Sequence, residues 1–362
     1  MNVRACLLRL LFLVLSVLAA VPGPSWAQGF AGLGTQAEGF AVPEQGVPLD
    51  FPRDHGAHPD YRIEWWYLTA NLRSADGRSF GLQWTLFRSA LTPGGKDASQ
   101  IWMGHAAVTS AGRHLVAERL ARGGTGQAGV TPEPFSAWID EWRMKSRVGK
   151  EALAAGADPL SKLVLGASGK DFRYSMELEA KGPLVPQGDR GYSVKSAEGQ
   201  ASYYYSQPFY TITGTLVLPE GEVAVTGEAW LDREWSSQPL SAGQTGWDWF
   251  SLHLGTGEKL MAFRLRGDGQ GYMSGTWISA DGRPTPLRSS DLVVTPLDTV
   301  KVAGHLVPVR WRVEVPGHDF DVTTDALNDE AWMAVSFPYW EGPIRFSGSH
   351  EGEGYLEMTG YK

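Results

Sequence analysis

The sequence predicts an all-β protein made of two similar antiparallel β-barrels in tandem, and three observations carry that reading. Apolar and polar residues alternate with a period of two through one segment after another, the pattern of strands with one buried face. The 44 Gly and 22 Pro supply turns for many short strands, where a helical bundle would need longer unbroken runs. A weak internal repeat divides the 362 residues into two units, and the length itself exceeds what one typical domain needs.

The chain opens on MNVRACLLRLLFLVLSVLAAVPGPSWAQGF. Arg4 and Arg9 form a basic start, Leu10 to Val21 an apolar core too short to span a bilayer comfortably, and Ser25-Trp26-Ala27 a small-x-small cleavage site. Residues 1–27 therefore read as a signal peptide cleaved near Ala27, which would carry the chain across an inner membrane into a periplasm. A retained membrane anchor is the other reading. Cys6, the only cysteine, lies in this segment, so the mature chain has no thiol for a disulfide, a nucleophile or a zinc site. Residues 28–50, rich in Gly, Pro and small side chains, read as an extended lead-in.

RIEWWYLTANL (62–72) sets Ile63, Trp65 and Tyr67 against Glu64, Trp66 and Leu68. After a turn at Asp76-Gly77, SFGLQWTLFR (79–88) places Phe80, Leu82, Trp84 and Leu86 on one face, giving a hairpin headed by Glu64 and closed by Arg88. SMELEAKGPLVP, YTITGTLVL, KLMAFRLR, VRWRVEVPG and GYLEMTGY read as further strands, and EALAAGADP as a helical or loop segment. The repeat lies over this pattern. EWWYL (64–68) followed by Phe87-Arg88 matches DWFSL (248–252) followed by Phe263-Arg264, with YTITG (210–214) and YLEMTG (355–360) as the expected closing strands. The two barrels are expected over residues 51–218 and 219–362, divided near GTLVLPEGE.

The candidate chemistry lies in charges placed among aromatics. Glu64 shares a face with Trp66 and Leu68, and Asp248 shares one with Phe250, Leu252 and Leu254. A carboxylate on an apolar face must find a cation or keep its proton. Arg88 and Arg264 stand on the return strands where they could pair with these acids. WLDREW (230–235) puts Trp230, Asp232 and Glu234 on one face and Leu231, Arg233 and Trp235 on the other, with neither face cleanly apolar. Asp232, Glu234 and Asp248 are therefore the candidate acids, able to protonate a double bond if desolvated. Trp235, Trp247 and Trp249 could stabilise the resulting cation, with Glu64, Trp66, Trp230 and Arg233 as further ligand-binding candidates in the pocket. A salt-bridged turn that caps the core fits WLDREW equally. RDHGAHPDYR offers His58 as a pocket residue, and SYYYSQPFY offers Tyr205 to orient a ligand. His55 and His58 lack further ligands at metal-binding spacing, so no metal is expected. The net charge of −8, the scattered Lys and Arg, and the lack of a Gly-rich phosphate loop argue against nucleic acid and nucleotide partners.

HPDYRIEWWYLTANL (58–72), SYYYSQP, GEAWLDREWSSQPL and GWDWFSLHL together resemble the AttH-like group of the hydroxyneurosporene synthase (carotenoid 1,2-hydratase) family, from about Asp50 to the C-terminus. The resemblance implies two tandem lipocalin-like barrels without a cofactor. It implies a group often described as predicted secreted hydrolases and encoded beside ABC-type permeases. Related branches hydrate carotenoid end groups or shape cycloadditions of apolar polyketides. Hydratase members use an acid and a His near the Trp of the motif that here reads Asp232-Arg233-Glu234-Trp235, and Arg233 stands where the His is expected. A guanidinium stays protonated and is no general acid.

Three functional classes follow. The leading expectation is an exported protein that binds an apolar or amphipathic lipid-like or isoprenoid-like ligand, working with an ABC-type envelope transporter. The second is a cofactor-free hydratase (a hydro-lyase) or hydrolase, and the third a structural adaptor.

Overall fold

The computed structural model describes residues 37–241, 243–267, 269 and 271–361. The expected signal peptide and its cleavage site lie outside the described residues, as does the first part of the lead-in. The described chain is all-β, in two antiparallel sheets.

The first sheet contains β1 (Ile63–Ser74), β2 (Ser79–Ala90), β3 (Gln100–Ser110), β4 (Arg113–Arg122), β5 (Ala128–Pro132), β6 (Phe135–Ile139) and β7 (Trp142–Ser146). After the short helix α1 (Lys150–Ala154) come β8 (Lys162–Ser168), β9 (Arg173–Ala180), β10 (Val185–Pro186), β11 (Tyr192–Val194), β12 (Ala201–Leu218) and β13 (Gly221–Ser236). Their spatial order is β4-β3-β2-β1-β13-β12-β9-β8-β7-β6-β5, and β6 packs across onto β2, β3 and β4, so the sheet nearly closes into a barrel. The second sheet contains β14 (Gly246–Leu254), β15 (Lys259–Arg266), β16 (Tyr272–Ile278), β17 (Pro284–Leu287), β18 (Val293–Val302), β19 (His305–Val315), β20 (Phe320–Ala326), β21 (Trp332–Met333), β22 (Tyr339–Gly348) and β23 (Gly352–Met358). It runs β17-β16-β15-β14-β23-β22-β20-β19-β18 and curls into a half-barrel, in which Phe250 meets Trp311 edge-on at 5.6 Å.

Alternation explains how these strands are buried. Trp66, Leu68, Ala70 and Leu72 of β1 join Phe80, Leu82, Trp84 and Leu86 of β2 inside the first sheet. Phe250, Leu252 and Leu254 of β14 turn into the second. The opposite faces are not left to water. Tyr67, Trp249, Met261, Phe263 and Tyr355 form a third core between the sheets, so β1 and β14 are buried on both sides. Close approach there depends on Gly81, where a Cβ would lie 2.5 Å from Cγ of Pro343.

The repeat is visible in the register. Glu64 stands opposite Arg88 between β1 and β2, and Asp248 opposite Arg264 between β14 and β15. The closing strands differ from the expected match. The second neighbour of β1 is β13, and that of β14 is β23, so the counterpart of YLEMTG is the WLDREW strand and not YTITG of β12. The reason is the long β12–β13 hairpin, which pairs from Leu218 and Gly221 back to Tyr203 and Trp235 and keeps both strands in one sheet. The expected divide near residue 218 lies at that hairpin's turn. Sheet membership changes later, between Ser236 and Gly246.

One end of the first barrel is held by a buried ion cluster. Glu64 accepts from Arg88 Nε through Oε1 and from Arg233 Nη2 through Oε2, the latter at 2.8 Å. The His58 backbone N–H adds a third donor at 2.8 Å. Burial alone would raise the Glu64 carboxyl, but the two guanidiniums together hold it far below the usual carboxylate range. Arg88 also donates to the carbonyls of His58 and Tyr61, each at 2.8 Å, so the arginine is satisfied as well as paired.

Glu64→Ala would leave two buried guanidiniums facing each other. It is expected to cost about 3–5 kcal/mol in urea unfolding. Asp321→Ala, which breaks the exposed Arg312–Asp321 pair, should barely move the midpoint.

Candidate functional site

Between the two sheets lies a cavity of ≈ 460 Å³, walled by the outward faces of both. On the first sheet, register places Glu234, Trp65, Phe87, Met103 and Leu120 in one row across β13, β1, β2, β3 and β4. The next row inward is polar throughout: Asp232, Tyr67, Thr85, His105 and Glu118. The second sheet offers a matching row of Glu357, Trp249 and Phe263. The repeat aligns Trp65 with Trp249 and Phe87 with Phe263, and Glu234 and Glu357 each stand opposite those indoles. The cavity thus has a Glu–Trp–Phe rung on each wall.

The acids differ in what neutralises them. Glu234 pairs with Lys195 at 2.8 Å, and that ammonium lies 4.3 Å from the ring of Phe263 and 4.8 Å from Tyr204. Among the described residues, Asp232 has only neutral hydrogen-bond partners. Ser206 Oγ and Trp230 Nε1 donate to Oδ1 at 2.5 and 2.6 Å, and Tyr204 OH donates to Oδ2 at 2.6 Å. Burial outweighs these donors and, helped by the charge of Glu234, raises the Asp232 pKa to about 7. Trp249 Nε1 donates to the same Tyr204 oxygen at 3.1 Å, which links the second sheet to this acid.

A second acid pair lies on the facing wall. Glu341 and Glu357 stand opposite each other between β22 and β23. Burial raises Glu357 to about 7, against the hydrogen bond from Trp247 Nε1 at 2.8 Å. Burial and then the charge of Glu357 push Glu341 well above the carboxylate range. Tyr67 OH donates to Glu341 Oε1 at 2.5 Å, and Oε2 has no partner among the described residues. Beside them Tyr339 OH lies 3.0 Å from His105 Nδ1, and His105 Nε2 lies 3.2 Å from Glu118. The Glu118 carboxyl is held low by the His105 hydrogen bond, so it is ionised. That places the imidazole proton on Nε2 and leaves Nδ1 to accept from Tyr339.

The residues singled out by sequence fall into three places. Asp232, Glu234, Trp247 and Trp249 line the cavity, and Trp230 supports it through Asp232. His58, Glu64, Trp66, Tyr205, Arg233 and Trp235 gather inside the first barrel. There the Arg233 guanidinium lies 3.8 Å from the Trp66 ring, His58 stacks on Trp235 at 4.0 Å, and Tyr205 OH is 2.7 Å from His55 Nδ1. Asp248 turns into the second sheet and pairs with Arg266, two residues beyond the Arg264 that faces it in register, while Tyr361 OH donates at 2.9 Å. A one-residue step along an extended strand reverses the face, which is why Arg233 and Asp232 lead to different compartments.

Tyr67, His105, Lys195, Tyr339, Glu341 and Glu357 were not singled out by sequence. The signal available was the alternation of YLEMTG, which puts Glu357 on one face with Tyr355 and Thr359. Among the described residues no group of three or more His, Cys, Asp or Glu is set to hold a metal.

Comparison with known proteins agrees with this architecture. A candidate AttH protein from Nitrosomonas europaea matches at 31% identity over 89% of this chain and 100% of its own, with a TM-score of 0.78. Kievitone hydratase from Nectria haematococca is similar at 17% identity over 90% of this chain and 98% of its own, with a TM-score of 0.65. CghA with Sch210972 is similar at 15% identity over 90% and 97%, with a TM-score of 0.52. The last two likenesses concern the fold alone. No curated protein sequence matches the chain. The AttH-like family model matches residues 42–361, and with two sheets, their repeated register and this coverage in agreement, the chain belongs to the AttH-like family.

Proposed function

We propose that the cavity takes an apolar or amphipathic small molecule and promotes the addition or loss of water across a double bond by acid catalysis, without a cofactor. One observation carries this reading: Asp232 is fully buried beside an aromatic cavity with no cation as a partner among the described residues, so near neutral pH it holds a proton to give. Transfer of that proton to a substrate alkene leaves a carbocation, which the faces of Trp65, Trp247 and Trp249 can stabilise. Water then forms the new C–O bond, and its surplus proton passes to the Asp232 carboxylate that the first transfer leaves ionised. One proton leaves Asp232 and one returns to it, so the step balances and the site is restored. Hydrolysis fits less well, because it needs a water activated by a base and the cavity acids are held near protonation.

Acids held by arginine are poor proton donors and by themselves would favour binding over catalysis. Those acids, Glu64 and Asp248, lie in the two cores and leave Asp232 unneutralised. Binding without chemistry is the second reading, favoured by the apolar rim of the cavity. Export by the N-terminal segment and work beside an inner-membrane transporter belong to this proposal, since they would supply a lipid-soluble ligand.

Native mass spectrometry of protein purified from its host is expected to show a bound apolar molecule, and incubation of that molecule in ¹⁸O-water should give a product that has gained or exchanged one labelled oxygen. Asp232→Asn should lower the rate by about 100-fold or more with binding retained. Asp248→Asn should instead lower stability, and loss of turnover without loss of stability in that variant would count against this site. The wild-type rate should fall as pH rises above about 7, where Asp232 loses its proton.

The same proton gives a second expectation. Below about 7 the folded chain holds a proton on Asp232 that the unfolded chain releases near an ordinary pKa of about 3.9, so this group's contribution to stability falls as pH rises through that window. His105, His114 and His253 are lowered by burial and work in the opposite sense. The readout is therefore the difference between wild type and Asp232→Asn in urea unfolding, which should shift in favour of the variant from pH 4 to 7. A difference independent of pH would show that Asp232 is ionised in the fold.

A further inference from the structure

The cavity opens through a rim that is apolar. Leu91, Ile101, Leu120 and Phe337 line the cavity and are also exposed, Leu91 at 63% and Leu120 at 56%. Scattered apolar side chains on a surface need no explanation, but a contiguous apolar patch around an opening does. These four come from three separate places: the β2–β3 loop, the paired strands β3 and β4, and the segment before β22. Glu118 ties the last of these to β4, because its carboxylate accepts from Ser336 N at 3.0 Å and Ser336 Oγ at 2.8 Å. The segment that carries Phe337 is thereby fixed against the strand that carries Leu120.

Cations border this rim although the chain has a net charge of −8. Arg122 is exposed and stands opposite Ile101 on the same face, Arg62 lines the cavity, and Lys96 is exposed in the loop that carries Leu91. Asp97 is the acid in that loop, Asp60 lies against its Gly95, and Glu118 is engaged by His105 and Ser336. Gly39 packs on Pro93 of the same loop, where an added Cβ would lie 3.0 Å from Cγ.

We infer that the rim is a docking surface for an anionic lipid bilayer. Leu91, Ile101, Leu120 and Phe337 enter the boundary between headgroups and acyl chains, Lys96 and Arg122 meet the headgroup phosphates, and the cavity opens directly to the lipid phase. Met103 of the cavity wall stands between Phe87 and the rim residue Leu120 in register, which gives a lipid-soluble molecule an apolar path inward. A second copy of the chain fits this face less well, since a two-fold contact would set the same cations against each other.

The test labels the surface directly. In the full chain with Cys6→Ser, an environment-sensitive bimane is attached through Leu120→Cys, Phe337→Cys or the control Leu306→Cys, which lies on β19 at 62% exposure. With vesicles of phosphatidylcholine and phosphatidylglycerol, labels at 120 and 337 should shift to the blue and be quenched by brominated acyl chains, and the label at 306 should stay in water. Equal quenching at all three sites, or none at any, overturns the proposal. Lys96→Glu combined with Arg122→Glu should weaken partition onto anionic vesicles by at least about tenfold, with circular dichroism unchanged. Unaltered partition would overturn the headgroup contacts, and a lipid-free dimer that buries the two rim labels would overturn the bilayer as the occupant. No turnover is measured, so this result stands or falls separately from the acid chemistry of the cavity.

Discussion

A carboxyl group taken out of water must keep a cation beside it or keep its proton, and this protein uses each solution in a different compartment. Inside the first barrel Glu64 holds two guanidiniums, and inside the second sheet Asp248 holds that of Arg266. Between the sheets the solution changes. Glu234 has Lys195, but Asp232 is surrounded by hydroxyls and an indole, and Glu341 faces Glu357 with no cation among the described residues hydrogen-bonded to either. The arginine pairs lie in the cores, and the acids that burial raises to about 7, Asp232 and Glu357, lie at the cavity.

That division follows from strands buried on both faces. An ordinary antiparallel sheet turns one face to its core and the other to water. Here β1 and β14 turn their second faces towards each other, and the space they leave unfilled is the cavity. The repeat makes the two walls alike, with a Trp and a Phe from each hairpin and a Glu from the strand beside it. Departures from this likeness carry the chemistry. The first sheet adds Asp232, Tyr67 and His105 in one row, where the second adds Glu341 beside Glu357.

The sequence was most legible where a short pattern fixes a local outcome. Alternation in RIEWWYLTANL and DWFSL identified the two hairpins, and Glu64 with Arg88 identified a buried pair, because directly opposed residues in a hairpin follow from turn position alone. It was less legible at Arg266, since a long side chain can reach past its register partner. It was least legible at Glu341 and at Lys195, whose neighbours lie on other strands far along the chain.

By itself the sequence determined the all-β class, the repeated hairpins and which face of WLDREW each side chain takes, because strand alternation and turn chemistry are local. Only the tertiary structure decided which face meets which compartment. The β12–β13 hairpin carries WLDREW into the first sheet, and the packing of one sheet on the other turns Asp232 and Glu234 towards the cavity while Arg233 and Trp235 remain in the barrel. The physical reason is burial. Whether a carboxyl is ionised depends on the water and charges within a few ångströms of it, and those come from strands that only the fold brings together.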